Sequence, residues 1–339
     1  MNINAISEAV KSLAQSLQVA TIFPATLLVL VNAYILLPAT RWLKYDLTAP
    51  TTTTLIVAFA LLLSYIFYAF NFPILRLLEG QKLKWLPPHD WLSAAQKKYH
   101  TWLQSELDWR EKRLSAIENR LYTPERYTVD PEWRQLSTDV MRRKREFDRD
   151  FPANVESVLP TALGNTIAAF EDYPRTRYGM ESIALWPRLV PVLKEKNYLE
   201  FVTQEKTVFD FMLNTGLVVG VLGLEATALV LESGHSGLGL IFLAGTMAGT
   251  AFFYEGMIVA ARHWGATVRV AFDLYRRDLH QHLGLRGAGE ESFADEYEQW
   301  GAVSQFFLTR PVDPEFPHFL SQMEYEARDA PAGKGENHD

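Results

Sequence analysis

The chain has 339 residues, a formal net charge of −7 and no cysteine. Without cysteine it can form neither disulfides nor thiolate metal sites, and it has no cysteine nucleophile. Its acidic residues are densest near the C-terminus, at Glu290, Glu291, Asp295, Glu296 and Glu298.

Four apolar stretches dominate the sequence, at about residues 20–41, 51–72, 207–232 and 238–262. Each is long enough for an α-helix to cross the hydrocarbon layer of a bilayer. They predict an all-α membrane protein with four transmembrane helices, arranged as one pair in residues 20–72 and a second pair in residues 207–262.

The remaining segments are assigned by their polarity. Residues 1–19 are predicted to be an amphipathic lead-in, and residues 73–206 a helical cytosolic insert between spans two and three. Residues 263–325 are predicted to be a helical C-terminal extension in the cytosol, and residues 326–339 a disordered tail.

Charge in the flanks predicts the orientation. An even number of spans places both termini on one side, and that side carries most of the flanking Lys and Arg residues. The opposite side has Arg41 and Lys44 in one loop and no cation in the other, at residues 233–237. The positive-inside rule therefore predicts cytoplasmic termini and a cytoplasmic insert. A multi-pass protein of a bacterial inner membrane, with the lipid bilayer as its first partner, fits this pattern.

Spans one and two carry isolated polar residues. Asn32 lies within span one, and such an amide is expected to bond a neighbouring helix. In span two, Ser64, Tyr68 and Asn71 share a face that is expected to pack beside the polar side of span three. Pro73 predicts a kink or a boundary directly after this span.

The insert begins with a predicted helical hairpin. Asp90 is a candidate cap for a long helix that ends near Tyr122, and a second helix follows a proline-containing loop. Apolar residues step by threes, fours and sevens along both helices, which predicts an antiparallel pair with matching seams. These positions are Leu103, Leu107, Leu114, Ile117 and Leu121 in the first helix and Trp133, Leu136, Val140 and Phe147 in the second.

The second helix contains the densest basic run of the chain, formed by Arg142, Arg143, Lys144, Arg145 and Arg149. Two interpretations follow. The run is either a solvated helix face paired with neighbouring acids, or an anion site in which copies of the run surround a nucleotide, an oligonucleotide or a lipid headgroup.

Residues 151–188 are rich in proline, glycine and aromatic residues. The strings at residues 158–165, 170–174, 177–179 and 185–189, together with residues 71–80, resemble segments of uncharacterised bacterial four-span membrane proteins. This resemblance covers about a fifth of the chain and implies no activity and no catalytic residue.

Span three is apolar except for an ordered polar stripe. Thr203 and Thr207 lie with the candidate pore-lining residues within roughly 60° around the helix axis. Those pore-lining residues are Asp210, Asn214, Glu225 and Glu232. Small residues occupy the far side, at Gly216, Gly220, Gly223 and Thr227, and they predict close contact with another helix. A carboxylate at the depth of Glu225 is costly in lipid, so the stripe is expected to face water, a partner or the bundle interior.

Span four supplies two further candidate intramembrane charges, Glu255 and Arg262, which lie two turns apart. Its glycines, Gly245, Gly249 and Gly256, complement the small-residue side of span three. No nucleotide-binding, zinc-protease, hydrolase or calcium-loop motif occurs in a plausible place. The sequence therefore predicts no enzyme, no metal site and no cofactor.

The stripe favours a homo-oligomeric cation channel of three or more subunits, lined by span three and gated at the insert by a ligand or a cytosolic protein partner. In layout the chain is similar to membrane effectors of bacterial phage defence, which implies a nucleotide or oligonucleotide as the gating signal. Two alternatives remain. One is a non-conducting membrane scaffold or sensor, and the other is a proton-coupled transporter that uses Glu225 and Glu255.

Overall fold

The computed structural model describes residues 18–36, 49–82, 88–121, 123, 130–285 and 293–308. Within these ranges the regular structure is helical and contains no strand. The predicted all-α class is therefore confirmed for the described residues. Residues 1–17 of the predicted lead-in at residues 1–19, the predicted disordered tail at residues 326–339, and residues 286–292 and 309–325 of the predicted extension lie outside them.

The first apolar segment is α1 (Phe23–Val31), flanked by the π-helical turns Gln18–Ile22 and Asn32–Leu36. Three longer apolar helices are α2 (Pro50–Leu78), α7 (Leu199–Glu232) and α8 (Ser236–His282). These three have the length and apolar composition to cross a membrane. The described part of the first apolar segment, Ala20–Leu36, is shorter, and its predicted end near residue 41 lies outside the described residues.

Helix α2 continues beyond its predicted end at residue 72. Pro73 lies inside it, and the last residue is Leu78. A proline within a helix removes one backbone hydrogen bond, and one such loss is tolerated here. Gly80 follows with φ +85°, a conformation that a residue with a side chain rarely adopts.

Helices α7 and α8 form a tight antiparallel hairpin across a turn at Ser233, Gly234 and His235. The predicted small-residue contact is present within this hairpin except at Gly245, where an added Cβ would meet nothing within 4 Å. Gly216 faces Phe253 and Gly223 faces Thr246, while Gly256 of α8 faces Met212. Because a glycine has no side chain, the two helix backbones approach closely at these positions.

Exposure changes abruptly along α8. In its first half, large apolar side chains such as Ile241 and Phe252 are exposed. Farther along, Met257, Ile258 and Ala261 are buried. At the transition, the Leu163 backbone N–H donates to the Tyr254 hydroxyl over 3.3 Å. The helix therefore leaves its exposed apolar half near Tyr254 and packs against the region between α2 and α7 from there onward.

That region contains α3 (Pro88–Leu121), α4 (Pro131–Asp150), the 3₁₀ turn Val155–Ser157, α5 (Ala162–Tyr178) and α6 (Ser182–Glu195). Asp130 accepts from the Trp133 backbone N–H and so caps α4. Cross-helix bonds pair Arg110 with Asp139 at 2.6 Å and Glu118 with Trp133 at 3.0 Å. From Arg110 to Glu118 the residue number rises on α3, while that of the bonded partner falls on α4, from Asp139 to Trp133. The two helices are therefore antiparallel, which confirms the predicted hairpin.

The fold divides into two compact units. The first comprises Met1–Glu171 and Glu200–Val268, and the second comprises Asp172–Leu199 and Arg269–Asp339. The second unit contains α6, the end of α8 and α9 (Phe293–Leu308) around buried Leu189, Phe272 and Trp300. Within it, Asp273 accepts from the hydroxyls of Tyr173 and Tyr178 at 2.9 and 2.7 Å.

The glycine contact generates a prediction for stability. A Cβ atom on Gly223 would lie 2.8 Å from the Thr246 Cβ, whereas a Cβ on Gly245 meets nothing within 4 Å. We expect Gly223→Ile to lower the free energy of unfolding by about 1–3 kcal/mol, since overpacking forces the helices apart. The matched variant Gly245→Ile serves as control for the change in helix propensity. Thermal unfolding in detergent measures both variants, and equal midpoints would contradict the close contact.

Candidate functional site

The polar stripe of α7 makes most of its contacts inside the chain. Asn214 is fully buried, and its amide Nδ2 donates to the backbone oxygen of Ala20 over 2.8 Å. Asp210 accepts from Lys206 at 2.6 and 2.9 Å and also from Asn71 of α2. These residues therefore bond the first apolar segment, α2 and α7 itself.

Further along the stripe, Glu225 is partly buried and its Oε2 accepts from the Asn32 amide over 3.0 Å. The prediction that Asn32 bonds a neighbouring helix is thus confirmed. Glu232, at the end of α7, is exposed. Of the four candidate pore-lining residues, Asp210, Asn214 and Glu225 are bonded within one chain.

These contacts also define the direction of the first apolar segment. Ala20 lies beside Asn214, and Asn32 lies beside Glu225. Residue numbers rise together on both segments, so the first apolar segment runs parallel to α7. The Thr21 and Ser64 hydroxyls, 2.9 Å apart in a buried contact, tie the same segment to α2.

Charged residues of both signs line a groove of about 350 Å³ in the first unit. It lies between α3, α4, the start of α5 and α8. The groove brings together two sets that the sequence analysis treats separately. Arg143 and Arg149 come from the basic run, and Glu255 and Arg262 come from span four. The apolar and aromatic part of its lining consists of Tyr99, Leu103, Leu107, Phe147, Phe151 and Ile258.

Asp150, the last residue of α4, lines this groove and forms a bridge between two arginines, the Asp150 bridge. Its carboxylate accepts from Arg262 over 2.8 and 3.0 Å and from Arg149 over 2.9 and 2.9 Å. Bidentate arginine–carboxylate pairs determine the relative orientation of the two groups and also pair their charges. The bridge therefore joins the end of the α3–α4 hairpin to α8, two turns beyond Glu255.

The rest of the basic run points elsewhere. Arg142 bonds Asp139, Lys144 donates to Glu111 over 3.0 Å, and Arg145 donates to the Met141 carbonyl oxygen. The hydrogen bond from Arg142 lowers the pKa of Asp139, and the bond to Glu111 raises the pKa of Lys144. Because the five cations point in different directions and four of them are engaged with acids, one chain does not assemble them into a single anion site.

A second buried carboxylate lies at the end of α2. Glu79 is 1 % exposed, its Oε2 accepts from Arg76 over 2.8 Å, and its Oε1 has no hydrogen-bond partner. Glu171 lies on the other side of Arg76, at 3.6 Å. Burial raises the pKa of Glu79 to about 7, against the opposing effect of Arg76. Sequence spacing indicates the Arg76–Glu79 pair but gives no sign of its burial.

The chain offers no metal site in the described residues, where no group of three or more His, Asp or Glu side chains is placed to hold an ion. No protein-family model matches the chain, and no curated protein or solved structure matches it. The assignment of function therefore rests on the geometry of the chain itself.

The Asp150 bridge can be tested by a double-mutant cycle. We expect Asp150→Asn and Arg262→Gln to show a coupling of about 1–2 kcal/mol in the free energy of unfolding. The reason is that this ion pair is bidentate and mostly shielded from water. The matched control is the exposed pair Lys97 and Glu156, 2.7 Å apart, whose coupling is expected to be below about 0.5 kcal/mol. A bridge coupling no larger than that of the control would contradict its structural role.

Glu79 predicts a dependence of stability on pH. A carboxyl group whose pKa is raised by folding holds its proton more tightly in the folded chain, so the folded state is favoured while the group is protonated. Stability contributed by Glu79 is therefore highest at low pH and falls as pH rises from the ordinary glutamate range to about 7. We expect a loss on the order of 1–3 kcal/mol over this window.

The measurement is the unfolding midpoint against pH for the natural chain and for Glu79→Gln, which cannot ionise. The variant should lose the decline, while Glu200→Gln, at an exposed position, should keep it. An unchanged decline in Glu79→Gln would show that another group is responsible.

Proposed function

We propose that the chain is a non-conducting membrane scaffold or sensor, in which the apolar helices anchor a cytosolic helical insert at a bacterial inner membrane. The observation that carries the proposal is the internal bonding of Asn214 and Glu225. A cation path along α7 needs such groups to face water that several copies share. Here they form hydrogen bonds with the first apolar segment, so that side of α7 packs against its own chain.

The anchor follows from the exposure of the apolar helices. Large side chains on α2 and on the first half of α8 are exposed, among them Leu61, Tyr65, Ile241 and Phe252. Exposed apolar surface on helices of this length is what a bilayer covers. The described part of the first apolar segment lies along α7 in the same direction, which supports a four-span arrangement with both ends of the insert on one side.

The groove at the Asp150 bridge supports a binding role for the insert. Its arginines are engaged, since Arg149 and Arg262 bond Asp150 and Arg143 bonds Asp139. Glu146 and Glu255 also line the groove and form no ion pair in the described part of the chain, although Glu146 lies in the field of Arg142 and Arg149. Accessible carboxylates favour a positively charged ligand, so a basic segment of a cytosolic protein partner fits this groove better than a nucleotide does.

The competing proposal is a homo-oligomeric cation channel of three or more copies, gated by a nucleotide or oligonucleotide. What favours it is that Glu225 is only partly buried and Glu232 is exposed. Assembly around an axis would then have to place these two carboxylates at shared water without breaking the Asn32 bond. Glu255 supports a proton-coupled transporter less well, because it lines the groove beside residues of the insert.

Ion flux separates these proposals. We expect vesicles that contain the purified chain to release trapped cations no faster than empty vesicles, and we expect Glu225→Gln to behave in the same way. The physical reason is that Glu225 bonds Asn32 within the chain. Glu200→Gln, at an exposed position outside the apolar segment of α7, is the matched control. Flux in the natural chain that Glu225→Gln alters and Glu200→Gln leaves unchanged would establish the channel.

A further inference from the structure

Helix α3 carries an exposed row of three tryptophans, here called the tryptophan face. Trp91, Trp102 and Trp109 are 71 %, 57 % and 57 % exposed. Their spacing places them within about 20° of one another around the helix axis and along about 27 Å of its length. Tryptophan is seldom this exposed on a helix surface unless another surface covers it.

The composition of the face is one-sided. Within about 40° of a tryptophan, the described positions of α3 hold three cations, three small residues and one carboxylate, Glu106, which pairs with Arg110 and Arg143. The cations are Lys98, Arg113 and Arg120, and the small residues are Ala95, Ser105 and Ala116. From α4, Glu132 approaches Arg113 at 2.9 Å and Arg120 at 3.8 Å. The face therefore keeps an excess of positive charge beside its indole rings.

The opposite side of α3 is already occupied. Leu107 and Ile117 are buried in the seam with α4, and His100 is buried against Phe147 and the Pro152 carbonyl oxygen. Helix α3 thus has two apolar sides. One side packs within the hairpin, and the tryptophan face looks outward.

The groove indicates how the hairpin lies relative to the apolar half of α8. From the Asp150 bridge, Arg143 lies toward the tip of the hairpin and Glu255 lies toward the exposed apolar half of α8. Both residues line the same groove. The base of the hairpin therefore lies beside the part of α8 where its burial begins.

We propose that the tryptophan face lies on the anionic surface of the same bilayer that holds α2, α7 and α8. Indole rings favour the headgroup region, where their apolar body and polar N–H are both satisfied. Lysine and arginine beside them attract the phosphates of acidic lipids. This inference rests on the membrane placement of the apolar helices and is independent of whether the chain conducts ions.

Because the chain has no cysteine, a single introduced cysteine can carry a nitroxide label at a chosen position. The test uses full-length Trp102→Cys and Trp109→Cys, reconstituted in vesicles of phosphatidylcholine with phosphatidylglycerol. Gln104→Cys is the matched control, since Gln104 is exposed on a different side of the same helix. Each label is scored by its collisions with oxygen, which concentrates in lipid, and with a water-soluble nickel chelate.

We expect the labels at positions 102 and 109 to collide with oxygen several-fold more often, relative to the nickel chelate, than the label at position 104. Replacing phosphatidylglycerol by phosphatidylcholine should reduce that difference. Circular dichroism checks that each labelled protein retains its helices. The labels report position whether or not the chain conducts ions, so a flux experiment that establishes the channel leaves this test intact.

Three results would overturn the proposal. Labels at positions 102 and 109 that are as open to the nickel chelate as the control would place the face in water. Spin–spin broadening that disappears on dilution with unlabelled protein would show that a second copy covers it. Protection that appears only when single-stranded nucleic acid is added would identify a nucleic-acid surface.

Discussion

A polar group on an apolar helix must find a partner, and this requirement determines how α7 is packed. An unpaired buried polar group costs about 1–3 kcal/mol, so Asn214 and Glu225 restrict which surface can lie beside them. In this chain that surface is the first apolar segment, which supplies the Ala20 carbonyl oxygen and the Asn32 amide. The opposite side of α7 has glycines in place of larger side chains and packs closely on α8. One helix thus holds the two halves of the apolar bundle together.

The same logic of pairing explains the junction with the insert. Helix α8 extends well past its exposed apolar half, and Arg262 meets Asp150 at the end of α4. A carboxylate shared by two arginines is satisfied locally, so those arginines are less available to an external anion. The bridge couples the hairpin to a helix that has the properties of a membrane span. The Asp150 carboxylate thus joins the hairpin to α8.

Helix type, approximate bounds and the faces of each helix could be predicted from the sequence, because periodicity depends on helix geometry alone. The α3–α4 hairpin, the glycine contact of α7 with α8 and the role of Asn32 all follow from such patterns. Periodicity cannot reveal the partner of a face. The stripe of Asp210, Asn214 and Glu225 has the same spacing whether it meets shared water or the first apolar segment.

For the same reason the sequence could not indicate that the basic run diverges, with Arg143 and Arg149 in the groove and the other three cations outside it. Those directions depend on how α4 is rotated against α3, which is determined by contacts between residues far apart in the chain, such as Arg110 with Asp139. Helix α8 continues past Arg262 to His282, within the helical extension that the sequence predicts from residue 263.

The most direct test of this account is a cross-link between positions 32 and 225 in membranes. The double variant Asn32→Cys with Glu225→Cys is treated with a short thiol-specific cross-linker, and the natural chain offers no competing cysteine. The account predicts a link within one chain, seen as a monomer whose two positions are joined in the same peptide digest. Links formed only between two co-expressed single-cysteine chains would contradict it, since the stripe would then face another subunit.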